Sequence, residues 1–380
     1  MDKYKNDYLT FYGENNISPV RQDINNFEQH CLRRKNLYRQ LGIPVLALRN
    51  SEILEVGAGS GYNTLTYFFL GGRVKNVDIV EPNPTGRVEI NRLFEKYKIT
   101  KDKYNCISST IEEFVTDKTY DFVIAEGFIP GLSNPKEILG ILEKYTHKNS
   151  IIIITCVDEI GLYVERMKRL VAQYITKDIK ELNLKVEKLL VIFKPQLEKL
   201  GASRKPEDWI LDQLFNPSLL VRNDFTMKDA IEFYYDRFEV LGASQNIFVD
   251  NSWYKDLQYD YKKAYINQYE RKKSIFLFAG EYEENYLQLD EINKLKKEIN
   301  RIHEISREIE IDKKWSLIQS LIVEIEYLNK VSSSFRLKEY NNEIIDIFNN
   351  LENNKIDFSK YNRFFNDFGK SQQYISFVRF

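Results

Sequence analysis

Cysteine is scarce in this chain. The 380 residues hold three, Cys31, Cys106 and Cys156, in neither paired nor metal-ligand spacing. That excludes a disulfide framework and a zinc site, so no metal is expected and a reducing, cytoplasmic setting fits. No charge of one sign dominates either, with 55 Lys and Arg against 56 Asp and Glu and a formal net charge of -1. Such a balance supplies no footprint for nucleic acid or for an anionic membrane surface. No run approaches the roughly 18 apolar residues that a membrane span needs, and Met1-Asp2-Lys3-Tyr4-Lys5 opens a polar start without a signal-type apolar stretch. A soluble protein is expected. Proline does not occur beyond Pro217, and neither Gly nor Pro interrupts the stretch from Glu281 to Phe368. That tail reads as helical.

Apolar residues at 43% and charged residues at 29% place the chain among folded globular proteins. Its length suits a catalytic domain with one further module. Between about Ser51 and Thr155, short β-branched apolar runs alternate with helix-like segments. This rhythm predicts parallel strands at Glu52–Val56, Asn76–Val80, Tyr104–Ile107, Asp121–Ala125 and Ile151–Thr155 in a doubly wound α/β sheet, whose ligands sit at the carboxyl ends of the strands. Before it, residues 1–50 form an arm with a helix from Asp23 to Leu41, Asp23 as N-cap and Gly42 just past the end. After the fifth strand comes a charged amphipathic stretch interrupted at Pro195, then a helix opening at Pro206, so a helical insertion is expected at about 161–235. Short apolar runs from Phe238 to Trp253 read as the last strand pair, closing the domain at 257. In 258–380, Ile292, Leu295, Ile299, Ile302, Ile305 and Ile309, then Ile318, Leu321, Ile322, Ile325 and Leu328, predict two packed helices with a break near Asp312 and a polar loop near Asn349–Asn354. An antiparallel hairpin is preferred to a coiled coil; a homodimer through the helical regions is the alternative.

The informative motif is Ile53-Leu54-Glu55-Val56-Gly57-Ala58-Gly59-Ser60-Gly61, an apolar strand ending in an acid and a glycine turn that enters a helix. Glycine lets a chain turn sharply and lets a ligand approach the backbone without a Cβ in the way. A dinucleotide fingerprint would need glycine at Tyr62 rather than Gly61, and a phosphate-binding loop would need Gly-Lys-Ser/Thr to follow. Neither is present. A second strand, Val77-Asp78-Ile79-Val80, also ends in an acid, Glu81, followed by Pro82 and Asn83. An ionised carboxylate there can accept two hydroxyl donors side by side.

These elements resemble motif I and the second-strand acid of the class I S-adenosylmethionine-dependent methyltransferases. The resemblance implies a Rossmann-like sheet and a cofactor held by Glu55, Gly57, Ala58, Gly59 and Gly61 around its methionine part. Glu81 and Pro82 would hold the ribose, and Ser109, Thr110 and Ile111 the adenine. It implies S-adenosylhomocysteine as product. Helix N-caps give Ser109 and Thr110 an equally good structural reading. The arm (Phe11-Tyr12-Gly13, Ile17-Ser18-Pro19-Val20, His30, Arg33-Arg34, Tyr38 to Ile43), with Pro206 to Asp212 and Trp253-Tyr254-Lys255, is similar to methyltransferases found among bacterial surface-polysaccharide genes.

Methyl transfer is an in-line displacement that depends on orientation, and an alcohol acceptor must also lose a proton. Glu126, at the end of the fourth strand, is the first candidate base and His30 the second; a loop carboxylate and a structural histidine are the plain alternatives. His147 falls in a polar turn and His303 on a charged helix face. Tyr12, Arg33, Trp209 and Trp253 are candidate substrate contacts, with Asp23 and Arg34 beside them, although aromatics at helical spacing are more often core. Ala125-Glu126-Gly127-Phe128 lacks the Asn/Asp-Pro-Pro-Tyr/Phe of enzymes that methylate flipped bases, which argues against nucleic acid. The expectation is methyl transfer to an oxygen, less readily a nitrogen, of a small acceptor such as a sugar or sugar nucleotide in surface-glycan biosynthesis. An aminopropyl or other alkyl transferase of the same fold is one alternative, and a noncatalytic interaction protein the other.

Overall fold

The computed structural model describes residues 7–15, 18, 24–71, 73–199, 205–217, 220, 225–257, 259–279, 287–352 and 356–380. Asp23, Ile17, Pro19 and Val20, named above, lie outside these. The chain divides into two compact units, one of 1–157, 217–269 and 372–380, the other of 158–216 and 270–371.

The first unit is built on a seven-stranded sheet. Its strands are β1 (Glu52–Val56), β2 (Asn76–Val80), β3 (Tyr104–Ile107), β4 (Tyr120–Ala125), β5 (Thr146–Val157), β6 (Phe238–Ala243) and β7 (Gln372–Arg379), in the order β3-β2-β1-β4-β5-β7-β6. The first five are parallel, and β7 runs antiparallel to both β5 and β6. This is the Rossmann-like, doubly wound sheet expected from the sequence. The strand order reverses between β1 and β4, which is where open α/β sheets place their ligands. Helices α1 (Asp7–Glu14), α2 (Phe27–Gln40), α3 (Tyr62–Leu70), α4 (Pro84–Lys96) and α5 (Pro135–Lys144) precede β5. Period-two alternation puts Ile53, Val77, Ile79, Phe122, Ile124 and Ile153 on one sheet face, where Tyr38, Leu41, Leu65, Tyr67, Ile90 and Phe94 from α2, α3 and α4 cover them. Glu55 shares the parity of Ile53, so its carboxyl enters that same buried layer.

The expected helix from Asp23 begins later. Asn26 caps α2 by accepting from the Gln29 N–H. The expected close of the sheet at 257 is corrected by β7. Residues beyond β6 form a loop and a short turn at Tyr254–Asp256, and β6 pairs instead with a strand 130 residues further on. The region 258–380 is therefore not all-helical, and its last residues complete the first unit.

The second unit combines α6 (Glu159–Ile175), α7 (Leu182–Lys199) and α8 (Pro206–Ile210) with α11 (Leu289–Asp312), α12 (Ile318–Val331), α13 (Phe335–Glu352) and α14 (Asn362–Asn366). The expected insertion as far as 216 and the expected tail from 270 to 371 thus belong to one unit, while 217–235, read as part of the insertion, belongs to the first. Helix α9 (Met227–Tyr234) lies between α8 and β6 in the chain, and α10 (Tyr261–Lys272) follows β6. The charged stretch read as amphipathic is, in α6, buried almost all round, and partners for two of its cations come from elsewhere in the helical unit. Arg169 meets Glu310 at 2.5 Å and donates to the Asn216 carbonyl; Lys168 donates to the Phe365 carbonyl and lies over the Phe368 ring. Pro195 lies inside α7 without ending it. The two expected tail helices are α11 and α12, joined through Lys313 in a left-handed conformation and tied by Arg301 to Glu324 at 2.8 Å. His303 is corrected from a charged face to a buried site stacked on Tyr163. Of the loop expected at Asn349–Asn354, Asn349 and Asn350 extend α13, and Asn353 and Asn354 lie outside the described residues.

Candidate functional site

The carboxyl ends of β1, β2 and β4 converge on the glycine turn. Gly57, Gly59 and Gly61 all have positive φ, at 72°, 57° and 75°. Gly61 shows why: it caps α3 in the left-handed region, and a Cβ there would stand 2.7 Å from Ile90 Cγ1. A Cβ on Gly57 would meet the Phe128 ring at 3.0 Å. The turn is held by Gly57 N–H on the Val80 carbonyl at 2.9 Å and Gly61 N–H on the Ala58 carbonyl at 3.0 Å.

Glu81 reaches across from the end of β2. Its Oε2 accepts from the Gly59 N–H at 2.7 Å and its Oε1 from the Asn83 N–H at 2.9 Å. Burial lifts its pKa to about 7 against these N–H donors and Arg87. Arg87 donates to the carbonyls of Glu81 and Pro82, fixing the chain at the strand end. On the far side of β2, Ser109 and Thr110 form a local turn, Ser109 Oγ donating to the Thr110 carbonyl, and Ile111 is buried.

The opposite wall is a polar cluster inside the buried layer. Glu55 is 3% exposed; its Oε1 accepts from the Tyr67 hydroxyl at 3.3 Å, and its Oε2 has no hydrogen-bond partner. Burial, helped by Glu126, lifts its pKa to about 8, opposed by Thr64, Arg34 and Tyr67. Thr64 stands near enough to favour the carboxylate, but its Oγ1 completes no bond in this geometry. Glu126 is gripped from two helices. Arg34 of α2 binds it through both oxygens, at 2.7 and 3.0 Å, and Asn63 of α3 donates to Oε2 at 3.3 Å. Arg34 is itself buried, and its Nε is left without an acceptor. A bidentate pair of this kind is among the stronger side-chain contacts and fixes orientation as well as charge.

His30 of α2 is buried, with Nε2 3.1 Å from the Tyr62 carbonyl at the start of α3. A carbonyl only accepts, so Nε2 carries the proton and Nδ1 the lone pair. Burial lowers the His30 pKa, the Tyr62 carbonyl opposes this, and Arg34 and Arg33 lower it further. The ring is neutral near pH 7.

The structure thus brings together Glu55, Gly57, Ala58, Gly59, Gly61, Glu81, Pro82, His30 and Glu126. It does not bring all the expected substrate contacts with them. Arg33 points outward from α2, and Trp253 is 59% exposed beside Tyr254, with Lys255 over its ring. Trp209 packs, half-buried, between Phe193 and Phe368 within the helical unit. Tyr12 is buried beside Phe11. Arg34 emerges as the larger contributor, and a sequence signal existed: it lies four residues before Tyr38 and four after His30, on one helix face. Among the described residues no group of His, Cys, Asp or Glu could hold a metal, and no helix is long and apolar enough to cross a membrane.

No family model matches the chain. Among curated proteins it is similar to the ubiquinone biosynthesis O-methyltransferase of Rickettsia akari (strain Hartford), 31% identical over 111 residues, which cover 29% of this chain and 42% of that protein. The counterpart from Rickettsia conorii (strain ATCC VR-613 / Malish 7) is 28% identical over 139 residues, covering 37% of this chain and 45% of that protein. The match spans less than half the length of each relative. Among solved structures, PKMT2 from Rickettsia typhi in complex with AdoHcy aligns with 62% of this chain and 49% of its own, at 17% identity and a TM-score of 0.40.

Proposed function

We propose that this chain, which has the class I S-adenosylmethionine-dependent methyltransferase fold, binds that cofactor at the glycine turn and transfers its methyl group to an oxygen of a small acceptor. One observation carries the reading: a glycine turn of positive φ lies between two buried strand-end carboxyls, Glu55 and Glu81. The residues fit the cofactor. Glu55 Oε2 and Arg34 Nε are a buried acceptor and a buried donor without partners, the pair that a zwitterionic amino-acid end requires. Glu81 offers a carboxylate for the ribose hydroxyls, and the glycine turn beside it admits no side chain at Gly57 or Gly61, where a Cβ would press on Phe128 or Ile90. Bound there, the cofactor supplies an activated methyl group on a good leaving group.

The chain's own residues then have separable tasks. Arg34 and Asn63 orient Glu126, whose oxygens are committed to them, so Glu126 shapes the site rather than taking the acceptor's proton. His30 is the base in this reading, because its tautomer is set by Tyr62 and leaves a lone pair on a neutral ring. Ser109, Thr110 and Ile111 are the proposed adenine edge, and Tyr12 the one expected substrate contact in a buried setting. The acceptor class follows from the arm's resemblance to surface-polysaccharide methyltransferases: a sugar or sugar nucleotide hydroxyl, in the cytoplasm. A phenolic hydroxyl is the second reading, favoured by the two relatives whose names describe O-methylation in ubiquinone biosynthesis. Incubation with methyl-labelled cofactor and parallel panels of sugar nucleotides, glycans and polyhydroxylated aromatics tests it. Label in a sugar supports the first reading, label in a phenol the second, and label only in an amine would overturn O-methylation.

A further inference from the structure

The cluster around Glu55 holds more acidic groups than basic ones. Two carboxyls, Glu55 and Glu126, share one buried guanidinium, Arg34, and the geometry shows how that guanidinium is spent: both terminal nitrogens go to Glu126. The titratable groups facing Glu55 are Arg34 and Tyr38 of α2, Tyr67 of α3 and Glu126 beyond β4, with Thr64 of α3 as a neutral neighbour. None of them offers Glu55 a positive charge of its own. A buried carboxylate with one oxygen unpartnered and a second anion beside it is costly, and the least costly remedy in the free protein is a proton.

We propose that Arg34 is a positioning residue of the cofactor site: by engaging both oxygens of Glu126 it leaves Glu55 as the carboxyl that receives the cofactor's ammonium group, and Glu55 releases its proton to solvent as that group arrives. The inference rests on the proposed cofactor assignment and adds to it a proton-for-cation exchange. The exchange conserves charge: a neutral cluster and a zwitterionic amino-acid end give a bound cluster of one negative charge and one proton released to solvent. The free cluster is Arg34 cationic, Glu126 anionic and Glu55 neutral. The bound cluster has Glu55 anionic against the incoming ammonium. The free-protein carboxyl titrates near pH 8. Cofactor binding below that pH must therefore expel close to one proton, and affinity must rise about tenfold per pH unit until the free carboxyl ionises.

The test is titration calorimetry of the full chain with S-adenosylhomocysteine at pH 7, repeated in buffers of different ionisation enthalpy so that released protons are counted. The expected result is close to one proton per ligand at pH 7, falling towards none above pH 9. Glu55→Gln should bind more weakly and release none, while folding normally, because the amide mimics the neutral carboxyl. Arg34→Met leaves Glu126 without its cation and should move the release to higher pH; Arg34→Lys should move it part of the way back. A merely structural Arg34 would change affinity without moving the proton count. Binding by the natural chain with no proton released, or the same release from Glu55→Gln, overturns the exchange while leaving the cofactor assignment intact. No binding at millimolar ligand removes both.

Discussion

Gly59 and Glu81 are joined by a 2.7 Å hydrogen bond from the backbone N–H of one to the carboxylate of the other, so the turn after β1 and the acid after β2 form one unit. The same carboxylate takes the Asn83 N–H on its second oxygen. A ligand lying across the two strand ends meets a surface whose parts are already mutually fixed, which reduces the entropy lost on binding.

Replacing Glu81 with Ala therefore acts twice. It removes the proposed ribose acceptor and orphans the Gly59 N–H. Cofactor affinity should fall by about 1.5–3 kcal/mol, the scale of a charge-assisted hydrogen bond. Calorimetry on a folded Glu81→Ala protein checks this, and an unchanged affinity would show that Glu81 does not touch the cofactor.

Gly61→Ala should destabilise the sheet unit itself. The methyl group would be built 2.7 Å from Ile90 Cγ1 on a backbone at φ 75°. Left-handed backbone and overpacking together cost roughly 2–4 kcal/mol. Denaturant unfolding of the variant against the natural chain reads this directly; equal midpoints would mean that the turn relaxes.

Glu55 and Asp78 should give opposite pH signatures. Glu55 titrates near 8 when folded, above its ordinary 4.5, so it stabilises below about 4.5 and that contribution is lost as pH rises through 8. Glu55→Gln should accordingly raise the melting temperature at pH 8 while weakening cofactor binding. Asp78 is also buried, but hydrogen bonds from Asn105, Tyr120 and Lys118 outweigh burial and hold its pKa below 3.8. Its contribution is present above about 3.8 and lost as pH falls through the lower folded value. Asp78→Asn should flatten stability against pH on the acid side, and melting curves from pH 2.5 to 9 on both variants decide the two signs.

A chain ending at Ser371 should fail to form the sheet unit. Without β7, the run Ile152 to Ile154 of β5 loses its antiparallel partner, and β6 loses its only sheet neighbour among the described residues. An exposed apolar strand edge favours aggregation. Soluble, cooperatively unfolding protein from such a chain would contradict this.

The first five strands were legible because each is a short apolar run bounded by turn signals. The glycine turn was legible because Gly57, Gly59 and Gly61 alternate directly behind a strand-end acid, where a backbone needs positive φ. β7 was not legible. Its alternating run, Tyr374-Ile375-Ser376-Phe377-Val378, follows a long helical stretch, and its partner β6 lies 130 residues earlier, beyond the reach of any local pattern. The burial of α6 was hidden for a related reason. Arg169 and Lys168 lie in a charged amphipathic stretch, and the groups that receive them in the interior, Glu310 and the Phe365 carbonyl, come from distant sequence. In the site, the strand-end acids could be named from position, whereas Glu126 looked like a free base until Arg34, 92 residues away, was seen to hold both its oxygens.

If the glycine turn with Glu55 and Glu81 is a cofactor site, titration of the full chain with S-adenosylhomocysteine must show it. Saturable binding at one ligand per chain is expected, together with a rise in melting temperature that grows as RT ln(1 + [L]/Kd). No heat of binding and no thermal shift at millimolar ligand, from protein that unfolds cooperatively, would contradict it.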